Sequence, residues 1–199
     1  MENIANNNKD LLYLASSSPR RKELLESIGI PFCVVPQNFD ESLQPAVSAK
    51  DYVIKLSEGK ANAAQLPDNA RWVCGVDTIV YFDGEILGKP KDRIEAERNI
   101  LKLSGKTHEV HSGVTLLDLR NNVKFQDESV TFVKFCNLEK EFIDYYLDNR
   151  LFEGYAGGYA IQGIFACVAE KIEGSYSSVV GLPLELLYRL LRKSGFRFI

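Results

Sequence analysis

Apolar and polar positions follow two periods along this chain, and the points where one period gives way to the other predict its elements. The run Leu11 to Ala15 is continuously apolar and ends in Ser16-Ser17-Ser18, which predicts a short buried strand. Ser18 followed by Pro19 predicts a helix start, with a hydroxyl at the N-cap and a fixed φ at the first helical position. That helix shows Leu24, Leu25 and Ile28 on one face and stops at Gly29. Pro31 to Val35 reads as a second strand, followed by an acidic loop from Asn38 to Ser42. Ser48, with Asp51 three residues on, predicts a long helix with an apolar face of Tyr52, Val53, Leu56, Ala63 and Ala64, closed by Pro67. The stretch from Trp72 to Tyr81 is apolar on both faces, as a buried strand requires, and the charged Asp77 interrupts it.

Asp83-Gly84 is a two-residue hairpin signal that returns the chain as Glu85 to Pro90. The turn pairs Phe82 with Glu85 and therefore Thr78 with Lys89, so Lys89 is expected beside Asp77. Alternation puts those two side chains on opposite faces unless the strand twists or bulges near Gly88. Asp92 to Leu103 has a helical apolar stripe of Ile94, Ile100, Leu101 and Leu103. Two long strands, Thr107 to Leu119 and Lys124 to Phe135, are joined at Asn121-Asn122, and a helix follows from Glu139 to Asp148. The glycine-rich stretch Gly154 to Gly163 leads into an apolar run, Ile164 to Ala169, expected as a strand. Gly181-Leu182-Pro183 starts a last helix carrying Leu184, Leu187, Leu190 and Leu191. A chain of 199 residues makes one domain or a compact pair of lobes, after a polar start from Met1 to Asp10 that is expected to be disordered.

Composition narrows the function classes. A net charge of −3 with interspersed signs argues against general affinity for nucleic acid or membranes, so a local basic cluster has a local purpose. No apolar run reaches the length of a bilayer span, and no hydrophobic signal segment opens the chain. Cys33, Cys74, Cys136 and Cys167 are scattered in apolar settings, which predicts buried, reduced thiols in an intracellular protein. His108 and His111 are three apart in a strand, so they point to opposite faces and are expected in structural roles, not as a metal pair.

The candidate chemistry lies elsewhere. A helix N-terminus favours acids, yet the first turn after Ser18 holds Arg20, Arg21 and Lys22. Three hydroxyls, open backbone donors and guanidinium forks suit a phosphate or carboxylate, with a capped helix bearing solvated bases as the competing reading. Lys60 falls on the inward side of its helix, where it either snorkels outward or reaches a cleft holding negative charge. Asp77 in an apolar strand is either bonded to nearby backbone or is a general base or metal ligand. Glu41 is either a solvated loop acid or a metal-binding or electrostatic group. Tyr159 and Gln162 offer a ring face and an amide that can read a base edge. There is no Walker A loop and no G-x-G-x-x-G.

Taken in order, Ser16 to Arg21, Glu41, Lys60, Gly75 to Val80, Gly88 to Pro90, Ser104 to Thr107, Gly157 to Gly163 and Gly181 to Pro183 resemble the Maf family of nucleoside triphosphate pyrophosphatases. The resemblance implies an α/β fold in a single domain over residues 11–199, with a twisted mixed sheet flanked by helices and a cleft between two lobes, similar to the inosine triphosphatase type. It implies hydrolysis of a nucleoside triphosphate to monophosphate and pyrophosphate with a divalent cation, Mg²⁺ or Mn²⁺, in a cytoplasmic and often homodimeric protein linked to septum formation. By position, Asp77 matches the family's proton acceptor, while Arg20, Thr78 and Gln162 match positions that mark the branch acting on dTTP and UTP. Ser16, Glu41, Lys60 and Lys89 match polar positions lining the cleft, with Glu41 and Asp77 as the metal carboxylates. One departure is Tyr155, where many members of that branch have a lysine. Broad action on several nucleotides, or on 7-methyl-GTP, and a non-catalytic nucleotide-binding regulator are the alternatives.

Overall fold

A computed structural model describes residues 10–41 and 48–197. The segment expected to be disordered lies outside the described residues except for Asp10, which is tied down: its N–H donates to the Arg197 carbonyl at 2.7 Å, and its carboxylate accepts from the Arg197 N–H at 2.8 Å.

The elements run β1 (Leu12–Ala15), α1 (Pro19–Ser27), β2 (Phe32–Val34), α2 (Ala49–Asn62), β3 (Trp72–Phe82), β4 (Glu85–Leu87), α3 (Arg93–Leu103), β5 (Thr107–Asp118), β6 (Val123–Phe135), α4 (Lys140–Asp148), β7 (Ala169–Glu173), α5 (Tyr176–Val180) and α6 (Leu184–Ser194). They form one mixed seven-stranded sheet in the order β2-β1-β3-β5-β6-β7, with β4 also on β3. β1 is parallel to β2 and β3, and the other pairs are antiparallel.

The edge of β3 is where the fold makes room for a ligand. On one side β3 pairs with β5 without a break, from Trp72 opposite Asp118 to Tyr81 opposite Glu109. On the other side β1 reaches only to Gly75, and β4 begins at Val80. Val76 to Ile79 therefore have no strand beside them on that edge, and the sheet carries an opening four residues long. The hairpin at Asp83-Gly84 makes Phe82 and Glu85 a hydrogen-bonded pair, so by alternation the backbone N–H and C=O of Thr78 face this opening.

The two faces of β3 are covered differently. Trp72, Cys74 and Val76 join Leu12, Leu14, Leu25 and the leucines of α6 in one apolar cluster, and Val80 joins a second with Ile100, Val110, Phe135 and Phe165. Thr78 and Ser112 form a polar break between the two, their hydroxyls 2.8 Å apart. On the opposite face α2 lies directly on the strands, because Gly75 and Gly113 have no side chains to hold it off. A Cβ at Gly75 would sit 2.1 Å from the Ser57 carbonyl oxygen, and one at Gly113 would sit 2.4 Å from that of Val53.

Four expectations need correction. α2 ends at Asn62, well before Pro67, because Gln37 bridges to Ala64 and the Gln65 N–H donates to the Pro36 carbonyl, drawing the chain back alongside the end of β2. On α3, Ile94 is 78% exposed and Leu101 is 56% exposed; the buried positions are Ala96, Asn99, Ile100 and Leu103, since the helix rests on its small Ala96 side. Ile164 to Cys167 is a 3₁₀ turn held by local bonds such as Ala166 N–H to Gly163 O, with Phe165 as its core anchor, and the strand starts only at Ala169. All four cysteines are free, but only Cys74 is buried; Cys33 and Cys167 are exposed. Burial pushes the Cys74 thiol up to about 12. Among the described residues no helix is long and apolar enough to cross a membrane.

Candidate active site

A cleft of about 340 Å³ opens at the gap in the sheet. The turn after β1 forms one wall. Ser18 occupies the N-cap position of α1 as expected, but its hydroxyl makes no capping bond. Ser16 is the bracing residue instead, its Oγ accepting from the Ser18 N–H at 3.3 Å and from Arg21 Nη1 at 2.9 Å. Arg21 Nε also donates to the Gly181 carbonyl at 2.8 Å, tying α1 to the start of α6. Burial lowers the Arg21 pKa from its ordinary value, with the charge of Asp77 opposing this and that of Arg20 adding to it. Arg20 reaches the other wall, where Nη2 donates to the Gly154 carbonyl at 3.3 Å and the guanidinium lies 4.1 Å from the centroid of the Tyr155 ring. Lys22 points away and pairs with Glu26 at 3.6 Å.

The charged centre lies on the α2 face. Because α2 sits tightly on Gly75, one turn further along the helix Lys60 is delivered to the strand, and its side chain is 5% exposed. Its ammonium lies 2.5 Å from Asp77 Oδ1 and 3.0 Å from Glu41 Oε1. Of the two readings of Lys60, the inward one holds. Of those for Asp77, the bond to local backbone is replaced by a charge pair. Phe39 packs against the Cα of Gly59, where any side chain would strike its ring, and this contact brings Glu41 to Lys60. Burial works to raise the Glu41 pKa, but Lys60 and then Lys89 and Arg21 outweigh it and hold the carboxyl below its usual value.

Lys89 lines the same cleft without touching Asp77. β4 leaves the sheet after Leu87, so the predicted pairing of Lys89 with Thr78 does not form. The Gly88 carbonyl accepts from the Gly157 N–H instead, and the Lys89 ammonium, 61% exposed, stands 3.9 Å from Glu41 Oε2. Leaving the strand also frees Lys89 from alternation, which is how both lysines come to serve one opening.

Thr78 and Gln162 both line the cleft, Gln162 at its exposed rim. The Thr78 hydroxyl sits 3.3 Å from the Gly181 carbonyl, so the α5–α6 junction closes the cleft over the polar break in the sheet. Beyond Thr78 the wall is apolar, formed by Val80, Val110, Ile161 and Val180. Tyr159 contributes there, but not as a free ring face: it is 5% exposed, packs edge-on against Phe135, and its hydroxyl lies 2.8 Å from His108 Nε2. His108 is pushed down to about 3 by burial. His111 lies on the other face, between Glu109 at 2.7 Å and Glu128 at 3.2 Å, so both histidines hold structure as expected.

All the expected residues, Ser16, Arg20, Glu41, Lys60, Asp77, Thr78, Lys89 and Gln162, thus border a single cleft. The sequence put Arg21 forward only as one of three bases in the turn and Tyr155 only as a departure from the family pattern; the bracing of Ser16 and Gly181 by Arg21 and the stacking of Tyr155 on Arg20 carry no signal in it. For a metal, Glu41 and Asp77 are the carboxylates present. Among the described residues no group of three or more His, Cys, Asp or Glu side chains is arranged to hold an ion. Two carboxylate ligands fit a hard cation that completes its shell with phosphate oxygens and water.

The family described as Maf-like protein matches residues 11–194. A protein of Ruminiclostridium cellulolyticum named dTTP/UTP pyrophosphatase is 43% identical over 193 residues, covering 94% of this chain and 98% of its own. A protein of the same name from Geobacter sp. strain M21 is 47% identical over 184 residues, covering 92% and 95%. Among solved structures, a HAM1 protein from Coxiella burnetii aligns with 66% of this chain and 75% of its own at 13% identity and a TM-score of 0.43, a likeness too slight to bear on the chemistry.

Proposed function

Since the chain belongs to the Maf-like protein family, we propose that it hydrolyses nucleoside triphosphates, dTTP and UTP foremost, to the nucleoside monophosphate and pyrophosphate. The observation that carries this reading is the meeting of Arg20, Arg21, Lys60 and Lys89 with, among the described residues, the two carboxylates Glu41 and Asp77 around one cleft that continues into an apolar wall. The charged part suits a polyphosphate, and the apolar part with Gln162 suits a pyrimidine.

In this mechanism a water attacks the α-phosphorus and gives its proton to Asp77, while the bond from the α-phosphorus to the oxygen bridging to the β-phosphorus breaks and pyrophosphate leaves with that oxygen. Lys60, donating to Asp77 Oδ1, holds the carboxylate's orientation and leaves Oδ2 for the water. Lys89 and Arg21 offset charge on the leaving group, as cation clamps do in phosphoryl transfer. Mg²⁺ or Mn²⁺ held by Asp77 and Glu41 would add charge neutralisation at the phosphates.

The test is a panel of UTP, dTTP, CTP and 7-methyl-GTP with Mg²⁺, scored for pyrophosphate. The expected result is the highest kcat/KM for UTP and dTTP. Release of orthophosphate, or no turnover of any nucleotide, would overturn the proposal.

A further inference from the structure

The contact between Arg20 and Tyr155 spans the cleft, linking the first turn of α1 to the loop before the 3₁₀ turn at Ala156–Gly158. Both residues line the cleft. Arg20 makes no ion pair with any carboxylate among the described residues, and what holds its side chain is the Tyr155 ring and the Gly154 carbonyl. A free arginine side chain there would sample many rotamers, most of them pointing its charge toward water. The Tyr155 face and the Gly154 carbonyl instead fix the plane of the guanidinium, take up one N–H, and leave the remaining N–H groups in that plane.

We propose that Tyr155 is a positioning residue, a clamp that holds the Arg20 guanidinium across the mouth of the cleft in the orientation that meets the nucleotide. This rests on the pyrophosphatase reading for the identity of the ligand but not for the clamp itself. A cation over an aromatic face is favourable even at half-exposed positions, and pre-fixing the side chain removes an ordering cost that binding would otherwise carry. Tyr155 meets Arg20, while Asp77 is held by Lys60, so the effect of Tyr155 falls on binding and leaves the chemical step alone.

The experiment is a double-mutant cycle. Affinity for α,β-imido-UTP, which cannot be cleaved at the scissile bond, and KM and kcat for UTP are measured for wild type, Tyr155→Leu, Arg20→Ala and the double variant. The expected result is that Tyr155→Leu weakens binding and raises KM about 3- to 10-fold with kcat nearly unchanged, and does nothing further once Arg20 is alanine. Tyr155→Phe, which keeps the ring, restores tight binding. If Tyr155→Leu fails to fold, Tyr155→Gln removes the π face at similar size and completes the cycle. Losses that multiply independently, or a leucine variant that binds as tightly as wild type, overturn the proposal. The clamp is also read without nucleotide: the Arg20 Nε–H proton resonance should be shifted upfield by the ring in wild type and Tyr155→Phe and revert in Tyr155→Leu. An unshifted wild-type resonance refutes the clamp whatever the protein hydrolyses. Failure of UTP hydrolysis with the shift intact refutes only the pyrophosphatase reading.

Discussion

Replacing Gly75 with alanine should damage both stability and activity, although Gly75 is not one of the residues lining the cleft. The added Cβ would lie 2.1 Å from the Ser57 carbonyl oxygen and 2.6 Å from the Ala61 nitrogen, where ordinary contact begins at 3.4 Å. Both obstacles are backbone of α2, so no side chain can swing aside, and the helix must retreat by roughly 1 Å. Overpacking of this kind costs about 1–3 kcal/mol, and a backbone obstacle puts this case at the upper end. The same retreat carries Lys60 away from Asp77, stretching a 2.5 Å contact toward the limit of hydrogen bonding. A displacement of about 1 Å in a positioned catalytic group lowers turnover about 100-fold. Urea unfolding and pyrophosphate release from UTP measure the two effects on one preparation. Gly88→Ala, whose Cβ would meet nothing within 4 Å, serves as the control for stability. A Gly75→Ala protein with wild-type unfolding midpoint and wild-type kcat would refute the account of how α2 is seated and of what that seating does for the site.

Asp77→Asn should lower kcat by about 10²- to 10⁴-fold with the fold intact by circular dichroism, and near-normal turnover would remove Asp77 from the mechanism. His108 makes stability depend on pH. The unfolded chain takes up a proton below about 6.5, while the folded chain resists until about 3, so stability falls as pH drops through that window, by up to about 1.4 kcal/mol per pH unit. Urea unfolding at about pH 6.5 and about pH 5 should show wild type losing about 2 kcal/mol more than His108→Gln, and equal losses would contradict the burial of a neutral imidazole. Maleimide should label Cys33 and Cys167 in the folded protein while Cys74, buried and with its thiol at about 12, reacts only after unfolding; mass spectrometry of the labelled peptides decides it.

Local order was readable wherever one short stretch determined it. β1, the serine turn and the start of α1 came from an apolar run and a Ser-Pro pair, and the β3–β4 hairpin came from Asp83-Gly84. The inward side of Lys60 followed from its spacing to Val53 and Leu56. The apolar stripe of α3 misled because Ile94 and Leu101 are hydrophobic by type yet exposed, and which side of a helix rests on the sheet is decided by fit, here by Ala96. Cys33 and Cys167 misled in the same way. The stop of β4 at Leu87 was hidden because the chain there turns to Gly157, whose N–H donates to the Gly88 carbonyl, a contact between positions far apart in the chain. For the site, residue types and order indicated the participants, with the family resemblance supplying most of their roles. The sharing of Lys60 between Asp77 and Glu41, the bracing by Arg21 and the stacking of Tyr155 are products of tertiary geometry that no periodicity encodes.

The unpaired length of β3 has a consequence for how such a molecule can be resized. The aperture exists because two neighbouring strands fall short of each other, so its width is set by where β1 and β4 stop, independently of the side chains around it. Prolonging β4 by two residue pairs, Gly88 with Ile79 and Lys89 with Thr78, would swing Lys89 into the ladder and narrow the mouth, and trimming β4 would widen it. Strand length is thus a dial for the bulk of what enters, separate from the chemistry performed on it.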